Sequence, residues 1–139
     1  MNRKDAIKYS YEPHSESSVI ISISNSDEPS LPPFSKMQGN GIKKTLCLFF
    51  DDVELNDEKY RPIDDDDAKK IVEFVKRWKN KVDTIIVHCS AGQSRSAGVM
   101  AAISKWMTGS DMWVFDHSYY KPNMSCYRTV LNEFYRSDG

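Results

Sequence analysis

The sequence predicts an α/β fold with a small, mostly parallel central sheet flanked by helices. Two observations predict it. Short β-branched apolar runs alternate along the chain with longer segments whose apolar residues recur at helical spacing. A polar stretch, His88-Cys89-Ser90-Ala91-Gly92-Gln93-Ser94-Arg95-Ser96, lies between the third such run and a helical segment. In parallel sheets that position, the carboxyl end of a strand, is where loops carry function.

The first strand is read at residues 19–23, Val-Ile-Ile-Ser-Ile. Residues 25–40, broken by Asp27-Glu28-Pro29 and Pro32-Pro33, read as a loop. A second strand spans 45–50, where alternation puts Leu46, Leu48 and Phe50 on one face. Asp64 to Asp67 then open a helix whose Ile71, Phe74, Val75 and Trp78 fall at i, i+3, i+4 and i+7. Four successive carboxylates suit a helix N-terminus, where they cap it and meet its dipole, better than a metal site. The third strand is 84–87, and the segment before it supplies the helix that a parallel crossover needs. A helix over 95–107 closes near Gly109, residues 110–117 are short and aromatic, and a last helix after Pro122-Asn123 carries Tyr127, Val130, Leu131 and Phe134. The polar start, Met1-Asn2-Arg3-Lys4-Asp5, is assigned no element.

The 139 residues suit one domain, expected to span 1–139. With 40% hydrophobic residues, 28% charged ones and a net charge of −1, the chain reads as neither disordered nor a polycation, so no nucleic-acid partner is expected. No stretch approaches the roughly 18 apolar residues of a membrane span, and the polar start lacks a signal-peptide core. No membrane association and a cytoplasmic location are therefore expected. Cys47, Cys89 and Cys126 form no disulfide framework and no zinc spacing, which suits a reducing compartment. No metal and no cofactor are expected, and the lack of an association stripe points to a monomer.

A strand-to-helix loop turns successive N–H groups into one concavity, and the helix dipole adds positive potential, so residues 88–96 read as an anion site. Gly92 lets the backbone curl closely around a tetrahedral oxyanion, and Arg95 offers a planar fork to two of its oxygens. The same field favours thiolate over thiol at Cys89, which makes that sulfur a nucleophile aimed at bound phosphorus from an exposed, electropositive cleft.

These residues resemble the signature of the cysteine-dependent protein tyrosine phosphatases, in particular the dual-specificity branch with its Ser-Arg-Ser ending. Leu48-Phe49-Phe50-Asp51-Asp52 is similar to that branch's strand and acid-bearing loop, and Lys121-Pro122-Asn123 to its closing segment. The resemblance covers about residues 45 to 135 and implies a cysteine-dependent phosphatase-like fold. It further implies metal-free hydrolysis of phosphomonoesters through a cysteinyl-phosphate. Cys89 is then the nucleophile, Ser90, Ala91, Gly92, Gln93, Ser94 and Arg95 the phosphate-binding loop, Ser96 the hydroxyl that steadies the departing thiolate, and His88 an organiser of the loop. A phosphorylated protein or peptide, most readily phosphotyrosine, is the expected substrate, with phosphoserine and phosphothreonine slower.

Two departures stand out. The full helix usual between Gly109 and Pro122 is absent from the pattern, and the stretch before residue 45 is too brief for the deep recognition loop of the large tyrosine-specific enzymes. Two alternatives stay open: a catalytically silent phosphate-binding module, and a phosphatase of phosphoinositides, inositol phosphates or RNA 5′ ends. Positions 90–94 hold no lysine for a polyanion, which favours a singly phosphorylated group. His88 fits a packing role as well as an electrostatic one. Cys47 and Cys126 read as small buried apolar residues, and Trp113, Phe115, Tyr119 and Tyr120 as satellite core before cleft wall. His14 and His117 stand alone, and Gln93 is read as facing the mouth of the loop.

For the general acid the alternation continues Leu46, Leu48 and Phe50 to Asp52, while Asp51 follows Phe49. Asp52 is the expected acid, and a turn at 51 would transfer the role to Asp51. Asp57 and Asp116 come next.

Overall fold

Three parallel strands, β1 (Ser18–Ser24), β2 (Ile42–Phe49) and β3 (Thr84–His88), lie in the order β2-β1-β3. They are seen in a computed structural model that describes residues 1–28, 30–54 and 58–139. The central strand is buried along its whole length, which explains why its sequence is a continuous apolar run with small hydroxyls and not an alternating one. Val19, Ile21 and Ile23 face one core, shared with Leu48 and Val87 and with α2 (Asp65–Trp78), α3 (Arg95–Thr108) and α5 (Met124–Asp138). Ser22 and Ser24 face the other side, beneath α1 (Arg3–Ser10) and the 30–40 segment. There Arg3 reaches Ser24, and Phe34 packs edge-on against His88.

Helix α2 starts where the aspartates predicted. Asp64 is its N-cap, and Asp64 and Asp67 form a reciprocal capping box that Arg61 bridges at 3.0 Å to each. Helix α3 ends at Gly109, whose φ of 82° is the left-handed conformation that glycine adopts without strain. Helices α3 and α5 cross closely at Gly98, where a Cβ would lie 2.5 Å from the Asn123 carbonyl oxygen.

Several expectations are corrected. The polar start forms α1, whose N-cap Asn2 accepts a hydrogen bond from the Asp5 N–H at 2.7 Å. Its buried residues are Ala6 and Ser10, so it carries no apolar stripe to announce it. The 110–117 segment contains one helical turn, α4 (Met112–Phe115). The sequence leaves the strand order open, and the structure sets β1 between β2 and β3. The step from β1 to β2 is made by residues 25–41, with no helix among the described ones. Strand β2 also begins at Ile42 and ends at Phe49, earlier at both ends than the alternation suggested.

Candidate active site

Residues 89–94 join β3 to α3, and their carbonyls are held from outside. Ser90 O accepts from the Arg3 N–H (3.2 Å), Ala91 O from the Tyr119 hydroxyl (2.7 Å), Gln93 O from the Lys121 N–H (2.8 Å), and Ser94 O from the Asn123 N–H (3.0 Å). A trans peptide points its C=O and the next N–H in opposite directions. The N–H groups of Ala91, Gly92, Ser94 and Arg95 are therefore turned inward, and that of Gly92 contributes to holding the Cys89 sulfur. Gly92 takes φ +73°, and a Cβ there would come within 2.6 Å of the Met1 backbone, which passes directly behind the loop.

Cys89 sits at the bottom, 2% exposed, and not in the open cleft that the sequence suggests. Burial alone would raise its pKa. The Ser96 hydroxyl at 3.3 Å, the N–H groups of Ser96 and Gly92 and the Arg95 charge outweigh that and hold it below the ordinary thiol value. Arg95 is 4% exposed and donates from Nη1 to Phe50 O at 2.8 Å and from Nη2 to Ser90 Oγ at 3.2 Å. Its Nε is buried without a partner among the described residues. A guanidinium has five N–H donors, so most of the fork remains available to an oxyanion.

The two adjacent aspartates point apart, as alternation requires. Asp51 accepts from Ser26 N–H (2.9 Å), Ser26 hydroxyl (2.6 Å) and Arg61 N–H (2.7 Å). Partial burial pushes its pKa up, but these bonds and the Arg95 charge prevail and lower it. Asp52 turns to the loop, where its Oδ1 accepts from the Ser94 hydroxyl at 2.8 Å and from Asn123 Nδ2 at 2.9 Å. Asp116 ends α4 and is exposed, whereas Asp57 and Pro29 lie outside the described residues.

His88 is fully buried, its Nε2 paired with Ser22 Oγ at 2.7 Å. Burial pulls its pKa down to about 4, so it is neutral at pH 7 and serves as a scaffold for the strand end. Cys126 is buried as expected, but Cys47 is half-buried. Trp113, Phe115 and Tyr119 are exposed, not satellite core, and only Tyr120 packs beside Val114. Tyr119 stands at the rim of the loop, and Gln93 Nε2 turns sideways to its carbonyl at 3.4 Å instead of facing the mouth. His14 is not alone either; it stacks on Tyr9 at 3.6 Å, and His117 leans on Tyr120 at 4.6 Å.

Asn123 is the functional residue that sequence reasoning passes over. It caps α5 through the Cys126 N–H, anchors Ser94 O and holds Asp52, all while 2% exposed. Its position after Pro122 is a helix-start signal, but the contacts to 52 and 94 come only from the tertiary fold.

No family model matches the chain. Among curated proteins it is similar to the DNA polymerase epsilon catalytic subunit of Candida glabrata, 23% identical over 103 residues. The corresponding protein of Saccharomyces cerevisiae is 22% identical over 104 residues. The chain spans 4% of the length of these curated relatives, and the likeness assigns no family. Among solved structures it is similar to a mouse putative dual specificity phosphatase complexed with zinc tungstate, with TM-score 0.66, 15% identity, and 98% of this chain and 80% of that one covered. Human DUSP28 follows with TM-score 0.61, 14% identity and coverage of 99% and 88%. The human tyrosine phosphatase-like serine/threonine/tyrosine-interacting protein gives TM-score 0.61, 18% identity and coverage of 89% and 80%. The chain thus has the dual-specificity-phosphatase fold, a cysteine-dependent phosphatase-like fold.

Proposed function

We propose that the chain hydrolyses phosphomonoesters, with protein phosphotyrosine as its best substrate and phosphoserine and phosphothreonine slower ones. The observation that carries this reading is the buried Cys89 sulfur, its pKa held below the ordinary thiol value by Ser96 and Gly92 and by the charge of Arg95, an arginine with unused donors. Tungstate, bound by the mouse relative, is a tetrahedral oxyanion of the kind such a loop holds.

In the first step the Cys89 sulfur forms a bond to phosphorus while the bond from phosphorus to the leaving oxygen breaks. The inward N–H groups and Arg95 bind the equatorial oxygens, whose charge grows in the transition state. Asp52 gives its proton to the leaving oxygen. Ser94 and Asn123 donate to its Oδ1, and Oδ2 is the oxygen proposed to deliver the proton. In the second step water attacks phosphorus, Asp52 takes a proton from that water, and the sulfur leaves as thiolate toward the Ser96 hydroxyl. The products are a free hydroxyl and inorganic phosphate. The exposed Tyr119 ring beside the loop gives an aryl group a flat wall, and a phenolate leaves with less help than an alkoxide. A thiolate nucleophile calls for a reducing compartment, and the cytoplasm is the proposed one.

Turnover of matched phosphotyrosine and phosphoserine peptides by wild type and Cys89→Ser tests this reading. Cys89→Ser is expected to lose turnover and still bind tungstate, since the N–H groups and Arg95 remain. Retained turnover in that variant, or a clear preference for phosphoserine, overturns it.

A further inference from the structure

On the sheet face away from α2, α3 and α5, a cavity of about 460 Å³ lies between β2 and residues 31–40. That volume is of the size that encloses a small organic ligand. Phe34, Met37 and Ile42 are among its apolar lining residues, and three exposed lysines, Lys36, Lys43 and Lys44, border it. Among the described residues no carboxylate lines it. In a chain whose net charge is −1, three cations without an acid form a local field that favours an anion. Lysines on an edge strand also keep other strands away, which accounts for Lys43 and Lys44. It does not account for Lys36, which comes from the loop opposite, nor for the open hollow between them.

The cavity touches the machinery at two points. Cys47, one of its lining residues, is the cross-strand partner of Ser22, and Ser22 is the cross-strand partner of His88, so the three form one row across the sheet. Ser22 Oγ lies 2.7 Å from His88 Nε2, and Phe34, also lining the cavity, packs edge-on against the His88 ring at 5.5 Å. His88 is the residue before the nucleophile.

We propose that this cavity binds an amphipathic anion, an apolar body bearing one carboxylate or phosphate, and that occupancy reaches Cys89 through Phe34 and the Cys47, Ser22, His88 row. The second half rests on the phosphatase reading; the first does not.

Calorimetric titration with dodecanoate, on wild type and on Cys89→Ser, separates the two. Saturable one-to-one binding is expected in both proteins. It should weaken about tenfold or more in the Lys36→Gln, Lys43→Gln, Lys44→Gln triple variant, which alters only side chains outside the core. Dodecanoate should shield Cys47 from N-ethylmaleimide, and dodecyltrimethylammonium should not. Binding that ignores the lysines, or that tungstate displaces, overturns the site; so does an acidic peptide that binds more tightly than dodecanoate, which would make this edge a strand-docking surface. Saturating dodecanoate should change kcat on p-nitrophenyl phosphate about twofold or more in wild type and leave the triple variant unmoved. An unchanged kcat overturns the transmission, whereas a protein that binds dodecanoate and hydrolyses no phosphomonoester overturns the phosphatase reading alone.

Discussion

The hydroxyl oxygen of Ser96 lies 3.3 Å from the Cys89 sulfur, and the Ser96 N–H donates to the same atom at 3.5 Å. One residue at the first turn of α3 thus supplies two contacts that favour the thiolate. At the other two cysteines burial prevails and raises the thiol pKa, far more at Cys126 than at Cys47, where a hydrogen bond with Ser22 offsets part of it. Brief iodoacetamide treatment at about pH 6 is expected to label Cys89 first, as mass spectrometry will show, because the thiolate is the reacting form. Ser96→Ala should shift the pH midpoint of that labelling upward by about 1 unit, the order of one hydrogen bond to a charged group. Earlier labelling of Cys47 would contradict the thiolate assignment.

In the proposed mechanism Asp52 carries the chemistry and Asp51 the structure. Asp52→Asn is expected to lower kcat on phosphotyrosine by roughly 10²–10⁴-fold and much less on an aryl phosphate with an acidic leaving group. Asp51→Asn loses charged hydrogen bonds to Ser26 and Arg61 and should cost about 1–3 kcal/mol of stability with a small change in kcat. Leaving-group dependence and urea denaturation of the two variants check the division, and an exchange of the two phenotypes moves the acid to Asp51.

His88 makes stability depend on pH. Its folded pKa of about 4 lies below the ordinary 6.5, so between these values the unfolded chain binds a proton that the folded one excludes. Stability therefore rises with pH across that window and falls on acidification, by about 3 kcal/mol if the whole shift is expressed. Urea denaturation at pH 7 and pH 5, the latter still inside that window, should show about 2 kcal/mol of it, and His88→Asn should flatten the difference. Asp51, also depressed, acts below its usual 3.8 and does not confuse the reading.

Two glycines should respond differently to alanine. At Gly98 a Cβ meets the Asn123 carbonyl at 2.5 Å and Cys126 Cβ at 2.9 Å, so the α3 and α5 contact must open. Gly98→Ala is expected to lose about 1–3 kcal/mol and to lower kcat as Asn123 draws away from Asp52. Gly109 has φ +82° and open space around it, so Gly109→Ala should cost about 1 kcal/mol and leave kcat unchanged. Thermal melts alongside turnover of the two variants distinguish these effects.

The strands and the amphipathic helices are legible because burial on one face writes a period into the sequence: Ile71, Phe74 and Val75 lie in the core where spacing puts them. Helix α1 buries only Ala6 and Ser10, leaving the Asn2 cap as its one local signal. The strand order is written more faintly, in the unalternating run of β1, which marks a strand covered on both faces. Cys89, Arg95 and Ser96 lie together because a single loop spaces them, and the placement of Asp52 against that loop follows from alternation carried past the end of β2. Asn123 and Tyr119 meet the loop through contacts between segments distant in sequence, and no local pattern encodes that meeting.

Among the described residues the sheet contains no hairpin. Its central strand pairs Ser18 with Ile42 on one side and with Thr84 on the other, so every ladder closes a long loop before its first hydrogen bond repays the lost entropy. A nascent chain emerging from the ribosome has nothing to zip locally. Until residues 84–88 arrive, one edge of the most apolar strand is bare, and with it the surface most prone to sticking to a neighbour. Such a chain should fold slowly for its size, and its yield on refolding should fall with protein concentration.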